Sequence, residues 1–122
     1  MKANIRGFAL ALVTAGLCLA QGATAQAGCV GLAGTADGFD RQTAVSRAQS
    51  ALAEAIADLK SQKHIHSVSV TAMRAKPQPY WRDSVNPDLY QKPDVVTSKS
   101  HTICWTGVVS PTVCTSGAKV CW

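Results

Sequence analysis

A chain of 122 residues with 12 Lys and Arg against 7 Asp and Glu carries a formal charge of +5 at neutral pH. The cations are scattered, with no basic run or stripe, so nucleic acid is not an expected partner, and the length allows one small domain. Five cysteines in so short a chain make the folding compartment the first question.

The first 25 residues answer it. Lys2 and Arg6 form a positive start, Phe8 to Ala20 an apolar stretch, and Ala23-Thr24-Ala25 an A-x-A site ending before Gln26, the pattern of a secretory signal peptide. The apolar run is shorter than the roughly 20 residues that cross a bilayer, and no stop-transfer charges follow it, so no membrane anchor is expected after signal removal. Lipidation is not expected either, because Leu17 precedes Cys18 and Gln26 sits three residues before Cys29. The expected product is residues 26–122, one exported domain with ten basic and seven acidic residues, placed in the periplasm or the medium. It retains Cys29, Cys104, Cys114 and Cys121, an even number that suits two disulfides.

The next clear element is a helix over about Asp40 to Gln62. Val45, Ala48, Leu52, Ala55, Ile56 and Leu59 recur at three- and four-residue steps on one face, with Asp37 or Asp40 able to cap the start and Lys60, Lys63 and His64 at the end. Ala44, Ala48, Ala51 and Ala55 make that face shallow, so it can lie close against a sheet. Ile65 to Arg74 then alternates, Val68, Val70 and Ala72 on one side and Ser67, Ser69 and Thr71 on the other, as a half-buried strand does.

A Pro-rich loop is expected over about 76–93, with Pro77, Pro79, Pro87 and Pro93 keeping it out of the sheet interior. Within it Asn86-Pro87-Asp88 reads as the start of a short helical turn. Two further strands are expected at about Val95–Thr106 and Thr112–Trp122, joined around Gly107 to Pro111. A hairpin centred on Val109 sets Cys104 opposite Cys114 and leaves Cys29 for Cys121, whereas a shift of register favours Cys104 with Cys121. The expected fold is α+β, one amphipathic helix packed on a small antiparallel three-stranded sheet and stapled by disulfides.

The arrangement of Cys29 before an Ala- and Arg-bearing helix, then a strand, then Cys104, Cys114, Thr115 and Cys121 resembles a group of small exported bacterial proteins of unknown function. The resemblance implies the helix-then-sheet order and brings no activity. This chain departs from the group in having Val120 where a proline precedes the last cysteine, and in the long connection from Lys76 to Pro93.

No catalytic constellation is legible. There is no GxSxG elbow and no CxxC, and Asp83, Asp88 and Asp94 read as turn residues, so an enzyme is not expected and no cofactor is implied. His64 and His66, two apart, could share a strand face with His101 as a third metal ligand, which makes a histidine-based periplasmic metal protein the first alternative. The simpler reading leaves all three solvated, with no metal site. A purely structural envelope protein is the second alternative. The aromatics are the better lead: Tyr80, Trp81 and Tyr90, with Arg82, sit in the Pro-framed loop, where side chains have little entropy to lose on binding. Trp105 and Trp122 lie on the hairpin, Trp105 reading equally well as core. The expectation is a non-enzymatic binding module for a protein or cell-envelope component, with Tyr80, Trp81, Arg82 and Tyr90 as the contact residues.

Overall fold

A computed structural model describes residues 27–122, so the segment expected to be a signal peptide lies outside the described residues. In chain order the elements are β1 (Cys29–Gly38), α1 (Arg41–Lys63), β2 (Ser69–Ala72), a 3-10 turn (Pro79–Ser84), β3 (Val85–Val96), β4 (His101–Gly107) and β5 (Thr112–Cys121). The sheet therefore has five strands, not three, all antiparallel, in the order β1-β5-β4-β3. Strand β5 is the spine. Its whole length pairs with β1 on one side, while on the other side residues 113–117 pair with β4 and residues 118–121 with the short β2.

The two extra strands have different origins. Strand β1 is CVGLAGTADG, whose glycines and alanines show no apolar alternation, and it is a strand because all ten residues pair in unbroken register with β5. Strand β3 occupies the second half of the expected loop and carries Pro87 and Pro93. It tolerates them because it is an edge strand whose register with β4 breaks between Val85 and Tyr90 and again between Gln91 and Val95. Asn86-Pro87-Asp88 opens no helix; Asn86 Oδ1 instead accepts from the Asp88 amide at 3.2 Å.

Helix α1 begins where the capping chemistry requires. Asp40 is the N-cap, its carboxylate accepting from the Thr43 amide at 2.7 Å and from the Thr43 hydroxyl at 3.0 Å. The helix ends at His64, in the left-handed conformation at φ 55°, whose amide bonds back to Ser61 O. Ala44, Ala48 and Leu52 are buried against the sheet. Contact is close because the facing strand residue is Gly34: a Cβ there would stand 2.3 Å from Leu52 N.

Strand alternation then assigns every side chain. Gly34 faces the helix, so Ala36 and, on β5, Cys114, Ser116, Ala118 and Val120 do too, together with Thr102 and Cys104 of β4. Cys104 and Cys114 form a disulfide that is fully buried with Ala44 and Ala48. The second disulfide, Cys29–Cys121, lies on the opposite face and clasps the ends of β1 and β5. Two disulfides fit an oxidising, non-cytoplasmic environment. Among the described residues no helix is long and apolar enough to cross a membrane.

Candidate functional site

The face of the sheet away from α1 carries Thr35, Ile103, Trp105, Val113, Thr115 and Gly117, and most of these are buried although, among the described residues, no α-helix covers them. The Pro-rich connection is the cover. It leaves β2 across the sheet, Met73 N donating to Gly117 O at 3.3 Å, and passes so low that a Cβ at Gly117 would meet Met73 O at 2.3 Å. At the β1 edge the Gln78 side-chain amide donates to Ala33 O at 3.0 Å. The 3-10 turn then returns the chain to β3, with Trp81 N on Gln78 O at 2.8 Å and Val108 N on Ser84 O at 2.9 Å. Prolines at 77 and 79 restrict the backbone between these bonds, so the connection is held in place.

Between this cover and the sheet lies a slot of about 240 Å³ lined by Lys76, Pro77, Arg82, Val85, Pro87 and Trp105. Trp105 faces it from β4, its own ring braced edge-on by Tyr90 of β3 at a centroid distance of 6.4 Å and 62° between planes. Val85 is 7% exposed and belongs to the apolar wall, as do the two prolines, while the Lys76 and Arg82 side chains are exposed. The slot is therefore apolar inside and basic at its mouth. Ligand pockets for whole small molecules run to about 300–1,000 Å³, so this one suits a single side chain or ring.

A larger recess of about 700 Å³ opens at the other end of the sheet, beside His64, Ile65 and Trp122. There the indole is already engaged: Lys63 Nζ stands 5.8 Å from the Trp122 ring centroid.

Of the residues expected to bind a partner, Arg82 lines the slot. Tyr80 projects into solvent, 89% exposed, with Trp81 half-buried and edge-on to it at 6.1 Å. Tyr90 sits behind Trp105, and Lys92 Nζ lies 5.9 Å from its ring. Lys76, Pro77, Val85, Pro87 and Trp105 were not among the expected contacts. For Trp105 a signal existed: it neighbours Cys104, so a buried disulfide on one face sends the indole to the other. Nothing in the spacing tells that the chain folds back over that face.

The histidines are dispersed. His64 is the exposed helix C-cap, His66 lies in exposed irregular chain, and His101 on β4 is bonded through Nε2 to Asp94 Oδ2 at 2.6 Å. Among the described residues no three His, Cys, Asp or Glu side chains are grouped as metal ligands. The chain matches no family model, no curated protein and no solved structure.

Proposed function

We propose that this protein is an exported, disulfide-stapled binding module that captures a protein segment by seating one apolar side chain, flanked by carboxylate, in the slot over Trp105. The slot itself carries the reading: an aromatic floor with proline walls rewards a ring or branched aliphatic group, and Lys76 and Arg82 at the mouth reward negative charge beside it. The address that suits it is the periplasm or the medium, where both disulfides persist.

The test is the Trp105 indole N–H resonance, assigned by comparison with Trp105→Phe and followed while the acetylated, amidated tripeptide Asp-Phe-Asp is added. A saturable shift with a Kd on the order of 1 mM is expected, with Lys-Phe-Lys at least about tenfold weaker. Equal response to both peptides, or none to either, overturns the reading.

A further inference from the structure

The chain carries, away from the slot, a side chain shaped for it. Phe39 is 91% exposed in the two-residue link between β1 and α1. It is nevertheless rigidly presented: Gly38 closes the last β1–β5 pair with Thr112, and Asp40 is fixed as the helix N-cap. The backbone on its N-terminal side is also tied down, with Arg47 Nη1 donating to Asp37 O at 3.2 Å and the Ser110 hydroxyl donating to the Asp37 carboxylate. Val109, 92% exposed, lies across a shallow cleft from Phe39, so the end of the sheet is an apolar knob. The exposed carboxylate of Asp40 follows Phe39 on the chain, while Asp37 before it is bonded to Ser110 and shares the cleft with Arg47.

Knob and slot are complementary in three respects. The slot holds about one side chain and the knob offers one aromatic ring. The slot mouth is basic through Lys76 and Arg82, and the knob offers the exposed Asp40 carboxylate next to its ring, with Arg47 on the Asp37 side of the cleft. A ring left 91% exposed loses little conformational freedom on burial when the backbone on both sides is already bonded. Phe39 does not fill the slot of its own chain, as its exposure shows. We infer that the occupant of the slot is Phe39 of a second copy of this protein, so that copies join knob to slot. This rests on the slot reading above and names its partner. Such a contact is heterologous: each added copy leaves a free knob at one end and a free slot at the other, which gives open head-to-tail oligomers unless the rotation closes a ring.

The experiment is sedimentation of the exported, oxidised protein over a wide concentration range, for wild type, Phe39→Ser, the double variant Lys76→Glu with Arg82→Glu, and an equimolar mixture of the two variants. Wild type is expected to self-associate, less so at high salt, and Phe39→Ser to weaken association at least about tenfold, the effect of losing one buried aromatic side chain. Each variant alone is expected to stay monomeric at concentrations where wild type begins to associate. The mixture unites one intact slot with one intact knob and is expected to stop at a one-to-one dimer. Association untouched by Phe39→Ser, or a wild type that stays monomeric throughout, overturns the inference. The tripeptide titration separates the two levels: a Trp105 shift in a strictly monomeric protein removes the second copy and keeps the slot, whereas no shift and no association remove both.

Discussion

Cys104 and Cys114 face each other across β4 and β5, and the disulfide between them is part of the floor on which Ala44 and Ala48 of α1 rest. The bridge is thus a packing element as well as a cross-link. Cys29 and Cys121, by contrast, join strand ends that are exposed or half-buried. Mild reductant is therefore expected to open Cys29–Cys121 first, with the Cys104–Cys114 thiols becoming reactive only as the domain unfolds. Alkylation and peptide mapping at increasing reductant reads the order, and simultaneous loss of both bridges would sink the distinction.

Replacing each pair separates entropy from packing. The Cys29–Cys121 bridge spans 92 residues and the other spans 10, so chain entropy alone assigns them about 4.6 and about 2.7 kcal/mol. The double variant Cys104→Ala with Cys114→Ala is expected to lose more than its entropic share, because buried sulfur under Ala44 and Ala48 disappears as well. Urea unfolding of the two double variants gives the comparison; a loss near 2.7 kcal/mol for the inner pair would mean that its burial contributes nothing.

Gly34→Val is expected to be among the most damaging single changes. Its Cβ would stand 2.3 Å from Leu52 N, a backbone atom that cannot rotate away, so α1 must lift from the sheet. Overpacking of this kind costs roughly 1–3 kcal/mol where side chains can adjust, and the upper end or beyond is expected here. Thermal unfolding tests it against Ala53→Val on the exposed helix face, which is expected to change little.

The Thr43 amide and hydroxyl hold the Asp40 carboxyl below its ordinary pKa. A carboxyl lowered on folding contributes stability that is complete above the ordinary carboxylate range and is lost as pH falls through the lowered value. Stability of the wild type is therefore expected to decline in acid more steeply than that of Asp40→Asn, which keeps a cap and removes the titration. Denaturant midpoints measured from pH 2 to pH 6 give both slopes, and parallel curves would exclude Asp40 from the acid response.

Tyr80 and Trp81, adjacent in sequence, are expected to separate on mutation. Tyr80→Ala removes a ring that is 89% exposed and should leave stability within about 0.5 kcal/mol. Trp81→Ala removes a half-buried ring from the 3-10 turn and should cost about 1–3 kcal/mol. Equal effects in chemical denaturation would mean that the partial burial of Trp81 contributes nothing to stability.

What the amino-acid sequence determined by itself was local. The helix is written in three- and four-residue spacing and the hairpin in two apolar runs about Val109, whereas the choice of Asp40 over Asp37 as cap and the register that sets Cys104 against Cys114 came from the structure. Tertiary structure decided the rest. Strand β1 is made of residues too small to show a pattern, and only its ten-residue pairing with β5 defines it; strand β3 holds prolines that argue against a strand until its place at the sheet edge is known. The slot belongs to the same class. Lys76, Pro77, Val85, Pro87 and Trp105 come from three segments, and they meet because a connection pinned to Gly117, Ala33 and Val108 is laid over a sheet face that no described helix covers. Periodicity reports which way a side chain points along its own element; what lies opposite it depends on long-range pairing and close approach, which no local spacing encodes.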